Sequence, residues 1–182
     1  GIAQADTLRV GSPFKLEEKV VVQVEDDLPD PATDADAFER ESIERIGRLC
    51  KANRGRALVL CTSWKFVERC HAALSDELAA TGITMLKQGS LALSRLVERK
   101  RADPDTVLIG ADALWEGIDL PGPTLDLVII CRLPFLVPSH PLTQARARAI
   151  QDGGGSPFNQ MFLPEAVVRF RQGFGRLIRT ME

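Results

Sequence analysis

The sequence predicts an α/β fold, a parallel sheet covered by helices on both faces. Short, continuous apolar runs at 58–61, 106–110 and 126–131 alternate with longer stretches of helical periodicity. Turn-forming residues separate the two kinds of segment. At 182 residues the chain is long enough for one well-packed domain and short for two, so 1–182 is read as a single unit.

Residues 1–18 read as an irregular lead-in, with Ser12-Pro13-Phe14 as a turn. Lys19 to Val24 is the first strand candidate, stopped by Leu28-Pro29-Asp30-Pro31. From Asp34 to Ala52, Phe38, Ile43, Ile46, Leu49 and Cys50 recur at helical spacing, with Thr33 or Asp34 as the cap. Asn53-Arg54-Gly55 ends that helix ahead of the strand at Arg56–Cys61. Thr62-Ser63 then opens a helix from Trp64 to Ala80. Gly82–Leu86 predicts a brief strand, Ser90–Lys100 a helix, and Thr106–Gly110 and Asp126–Cys131 two further strands. Beyond Leu133 lies a region punctuated by Pro134, Pro138, Pro141, Gly153-Gly154-Gly155 and Pro157, with a helix at about 142–152. A last helix is expected from Pro164 to about Arg179. In a parallel sheet, binding residues gather at the strands' carboxyl ends, where the Thr62-Ser63, Glu116–Asp119 and Leu133–Phe135 segments fall.

Composition is that of an ordinary globular domain, 45% hydrophobic and 26% charged. Its 23 Lys plus Arg against 25 Asp plus Glu leave a net charge of -2, so no bulk signature of nucleic-acid binding exists. Local distribution says more. Acids crowd residues 17–44, whereas Arg146, Arg148, Arg169, Arg171, Arg176 and Arg179 gather toward the C-terminus and can form a basic surface for phosphates. Cysteines 50, 61, 70 and 131 are widely spaced without a C-x-x-C pair, which predicts buried free thiols in a reducing compartment; the competing reading is a dispersed metal site helped by His71. There is no leader-like N-terminal segment, and about 18 apolar residues nowhere run together without charge, so a cytoplasmic protein with no membrane partner is expected.

Three segments carry candidate chemistry. Gln172, Arg176 and Arg179 point in roughly one direction on a helix and suit a polyphosphate, with Gly175 permitting close approach beside them. The competing reading is a solvated helix with favourable end charges. The run from Ala111 to Gly122 follows a strand, and its Glu116 and Asp119 can accept hydrogen bonds from a ribose, from backbone amides or from arginines; a structural loop clamped by carboxylates is the alternative, and Trp115 is read as core. Thr62 and Ser63 sit at a strand-to-helix junction, where one hydroxyl caps the helix and free amides can meet a nucleic-acid phosphate, with Lys65 and Arg56 nearby. His71 and His140 fit no triad or ligand pair, and no G-x-x-x-x-G-K-[ST] phosphate cradle exists.

Taken in order, Leu58–Ser63, Trp115-Glu116-Gly117-Ile118-Asp119-Leu120-Pro121-Gly122, Arg132-Leu133-Pro134-Phe135 and Gln172-Gly173-Phe174-Gly175-Arg176-Leu177-Ile178-Arg179 resemble motifs of the second RecA-like domain of superfamily 2 DNA helicases. The likeness is to the DinG family, related to the XPD helicases, and spans nearly the whole chain. It implies a RecA-like three-layer sandwich. It also implies a C-terminal motor domain of an enzyme that couples ATP hydrolysis to 5'-to-3' movement on single-stranded DNA, with repair as the setting. By this resemblance Gln172, Arg176 and Arg179 face ATP, the arginines acting on its terminal phosphates. Glu116, Gly117 and Asp119 couple the nucleotide site to DNA contacts and count, with Gly175, as nucleotide-binding positions. Thr62 and Ser63 belong to the strand-contacting edge. Mg2+, the phosphate cradle and any iron-sulfur cluster are implied for the N-terminal RecA-like domain, so the four cysteines are not cluster ligands and the isolated domain is expected to be inactive. Relatives continue past the arginine motif into another strand, which predicts a missing final strand here. An RNA-directed domain or a non-catalytic nucleic-acid-binding module is the alternative.

Overall fold

The structure is a computed structural model that describes residues 20–115, 118, 120 and 124–175. Four strands, β1 (Ala57–Leu60), β2 (Thr84–Lys87), β3 (Thr106–Gly110) and β4 (Leu127–Ile130), form one parallel sheet in the order β2-β3-β1-β4. Leu60 is in register with Gly110 on one side and Ile130 on the other, so three strands end level at their carboxyl termini.

Each strand supplies both layers of core because successive side chains alternate faces. Ala57, Val59, Cys61, Val107 and Ile109 pack against Ile46 and Cys50 of α1 (Ala35–Ala52) and Val67, Cys70, Leu74 and Leu78 of α2 (Trp64–Ala79). Leu58, Leu60 and Leu108 pack on the other face with Leu96 of α3 (Leu93–Ala102) and Leu114 and Trp115 of α4 (Asp112–Trp115). This two-sided burial accounts for the unbroken apolar strands and gives the three-layer α/β sandwich the sequence predicts. Beyond β4 come α5 (Pro141–Asp152), a π-helical turn at Phe158–Phe162 and α6 (Leu163–Phe174), which packs on α4 and β4.

Caps and turns follow local chemistry. Asp34 caps α1, its Oδ1 accepting from the Ala37 amide at 2.9 Å. Gly55 has φ +74, and a Cβ there would lie 2.6 Å from the Asp105 backbone carbon, so only glycine lets the α1–β1 turn pass the start of β3. The last helix begins earlier than Pro164 predicts. The π turn carries it back to Phe158, with Ser156 O accepting from the Gln160 amide at 2.9 Å.

One predicted strand is absent. Residues 20–24 form none, and Val21, Val22 and Val24 are exposed at 94%, 64% and 78%. Glu25 and Asp27 just after them are held by Arg45 of α1, with Asp27 Oδ2 accepting from Nη2 at 3.0 Å. That clamp ties the segment to a helix instead of a sheet edge. The same guanidinium lowers the Asp27 carboxyl below its usual range by hydrogen bonding.

Candidate functional site

The carboxyl ends of β1, β3 and β4 open onto one cleft of about 420 Å³, lined by Thr62, Asp112, Ala113, Trp115, Pro134, Phe135, Val137 and Arg169. Thr62 follows β1, Asp112 and Trp115 follow β3, and Pro134, Phe135 and Val137 follow β4. Arg169 enters from α6. This is the crevice that a parallel sheet offers to ligands.

Two buried contacts hold the floor. Trp115 Nε1 donates to Cys61 O at 2.9 Å, fastening α4 to the end of β1 and making Trp115 a core residue, as its sequence context predicts. Gly173 of α6 is buried against the same ring. A Cβ at 173 would lie 2.8 Å from Trp115 and 2.9 Å from Leu60. The glycine thus seats α6 directly on Trp115, which in turn grips the backbone entering Thr62.

The walls differ in chemistry. Asp112 and Thr62 are exposed, and half-buried Arg169 stands on α6 without an ion pair among the described residues. Phe135 and Val137 supply an apolar wall, and Phe135 packs on Phe158 of the π turn with ring centroids 6.0 Å apart and planes at 30°. Arg132, in the same loop, is engaged elsewhere: its guanidinium lies 4.6 Å over the Phe38 ring of α1.

The candidate residues fare unequally. Ser63 is the N-cap of α2, its Oγ accepting from the Phe66 amide at 3.3 Å, while Thr62 faces the cleft, so the adjacent hydroxyls divide two tasks. Gln172 is exposed on the last turn of α6, and Gly175 is its C-cap in right-handed helical conformation, donating its amide to Arg171 O at 2.9 Å. Close approach belongs to Gly173, which the sequence reading did not single out. Glu116, Gly117, Asp119, Arg176 and Arg179 lie outside the described residues. Arg56 is not near Thr62. It stands at the opposite end of β1, paired with Asp126 at 3.0 Å. Arg146 of the C-terminal basic group reaches Glu165 at 3.8 Å.

Cys50, Cys61, Cys70 and Cys131 are free thiols on one face of the sheet, and Cys61 and Cys131 approach at 3.7 Å between sulfurs. Burial pushes the Cys50 thiol up to about 12 and raises that of Cys70; contact with Cys61 and burial raise that of Cys131. Among the described residues no three His, Cys, Asp or Glu side chains converge as a metal would require. No helix among them is long and apolar enough to cross a membrane.

The family model for the helicase C-terminal domain matches residues 46–182, which contain every strand and every wall of the cleft. The chain belongs to that family. Within it, this helicase C-terminal domain is of the DinG/XPD-like, superfamily 2 kind. It is similar to the 3'-5' exonuclease DinG of Bacillus subtilis, 35% identical over 96% of this chain and 19% of that protein. To the ATP-dependent DNA helicase YoaA of Escherichia coli it is 35% identical, over 100% of this chain and 28% of the relative. To the ATP-dependent helicase DinG of Mycobacterium tuberculosis it is 38% identical, over 96% and 26%. The helicase C-terminal domain therefore spans between 19% and 28% of the lengths of these three relatives.

Proposed function

We propose that residues 1–182 form the second RecA-like lobe of an ATP-dependent, 5'-to-3' DNA helicase, working against an N-terminal RecA-like domain and on single-stranded DNA. The supporting observation is convergence. Elements carrying motifs far apart in sequence, after β1, after β3, after β4 and on α6, meet at one crevice and lean on one another through Trp115 and Gly173. In this reading Arg176 and Arg179, which come next in sequence after α6, stabilise charge on the transferred phosphoryl group together with Gln172. Glu116, Gly117, Asp119 and Gly175 border the nucleotide. Thr62 meets the strand, and Ser63 contributes by fixing the start of α2.

ATP supplies the phosphoryl group whose transfer drives movement. The residues of this chain fit one side of such a site: an exposed Gln172 on a helix seated by Gly173. No acidic cluster converges among the described residues, and in this reading Mg2+ is assigned to the other lobe. Nor do the four cysteines fit an iron-sulfur cluster. Cys50, Cys61 and Cys70 are buried in the core, and Cys131 is partly buried against it with its sulfur near that of Cys61.

The test is hydrolysis by the full-length protein. Arg176→Ala and Arg179→Ala are each expected to lower strand-stimulated ATP turnover by roughly a thousandfold, the worth of an arginine finger, without lowering the melting temperature. Turnover close to wild type in both variants would remove the motor assignment. Stimulation by RNA and not by DNA would redirect it to an RNA substrate.

A further inference from the structure

We propose that the cleft at the strand ends is a nucleobase pocket, which takes one unstacked base of the bound single strand against Phe135 while Arg169 holds the adjoining phosphate. The inference rests on the motor-domain reading for its ligand and goes beyond it in naming the subsite and the residues that form it. A phosphate-tracking groove needs cations and amides. It has no use for an apolar wall of Pro134, Phe135 and Val137, of which Phe135 is 38% and Val137 62% exposed to water. Such a wall suits the face of a base.

Three features fix the pose. Phe135 is braced by Phe158, so the platform is set before the strand arrives. Asp112 repels phosphate and, with the Thr62 hydroxyl, offers acceptors to the polar edge of a base. Arg169, half-buried and without an ion pair among the described residues, enters from α6 and attracts phosphate. At about 420 Å³ the space lies low in the range of about 300–1,000 Å³ typical of small-ligand pockets. It holds one nucleotide unit, and the rest of the strand crosses the mouth.

The experiment compares affinities of the full-length protein for two labelled oligonucleotides of equal length, one of deoxycytidine and one carrying an abasic run at its centre. Wild type is expected to prefer the base-bearing strand. Phe135→Ala is expected to weaken binding of that strand by roughly 5- to 100-fold, the worth of one stacked base, and to leave the abasic strand unchanged. Phe135→Trp restores the preference. Arg169→Ala weakens both strands and reduces the salt dependence by about one phosphate contact. Equal weakening of both strands by Phe135→Ala, or no effect on either, overturns the pocket. So does a raised KM for ATP with strand affinity intact, which would give the cleft to the nucleotide. Either result beside normal strand-stimulated hydrolysis in wild type leaves the motor reading standing. Wild type without such hydrolysis removes both.

Discussion

At the scale of single residues, two positions carry consequences out of proportion to their size. Gly173 has no room for a methyl group, since its neighbours are an aromatic ring and a leucine fixed in the core. Gly173→Ala must therefore push α6 off Trp115, and overpacking of this kind costs about 1–3 kcal/mol. The expected outcome is a lower midpoint of chemical denaturation together with weaker coupling of hydrolysis to strand binding. Gly175→Ala, in ordinary helical geometry, is expected to be milder in both measurements. Lys100 is the other position. Its side chain is fully buried, its Nζ donates to Thr106 O at 2.6 Å, and burial lowers its ammonium to about 8 from 10.5. Between those pH values the unfolded chain holds a proton that the folded chain has released. Stability therefore rises with pH across that window, is fully gained above 10.5, and is lost as pH falls through about 8. Lys100→Met should flatten this rise. The difference between wild type and variant in the change of unfolding free energy from pH 8 to 10 is expected to be on the order of 2 kcal/mol.

At the scale of elements, the division of labour between Thr62 and Ser63 makes a separable pair of expectations. Ser63→Ala removes the cap of α2 and should cost about 1 kcal/mol of stability, with Ser63→Asp recovering most of it. Thr62→Ala should leave the denaturation midpoint in place and lower strand affinity. A common effect of both on stability alone would remove Thr62 from the site. The elements also explain what the sequence disclosed. Apolar strands, helix caps and the core role of Trp115 were legible because each depends on neighbours within a few residues. The Val-rich run at 20–24 misled for the opposite reason: its fate is decided by Arg45, twenty residues after Glu25. The cleft was legible only as three strand ends. Its composition was not, because Phe135 depends on Phe158 for its setting and Arg169 reaches the strands from a helix more than a hundred residues after Thr62. The clustering of arginines near the C-terminus was the available signal for Arg169. Nothing local separated it from Arg146, which an acid of α6 engages.

At the scale of the whole molecule, the proposed function makes this chain one half of an active site. Phosphoryl transfer needs a cradle for the phosphates, a metal to bridge them, a group to orient the attacking water, and cations that meet the developing charge. Nowhere in the 182 residues is there a G-x-x-x-x-G-K-[ST] run, and among the described residues no acids converge on a metal position. On the proposed reading the chain contributes the last part alone, through Arg176 and Arg179, which follow in sequence the helix that Gly173 seats on Trp115. Supplied with Mg-ATP and single-stranded DNA, the isolated chain is expected to release phosphate no faster than the uncatalysed reaction, whereas the full-length protein turns over with stimulation by the strand. Phosphate release followed by a colorimetric assay distinguishes the two. The comparison tests the proposed division, in which Arg176 and Arg179 act only when an opposing lobe brings phosphate to them. In that reading, closure between the lobes is the event that hydrolysis reports. Turnover by the isolated chain, persisting after Arg176→Ala, would place the whole of the chemistry within these residues and would contradict that division.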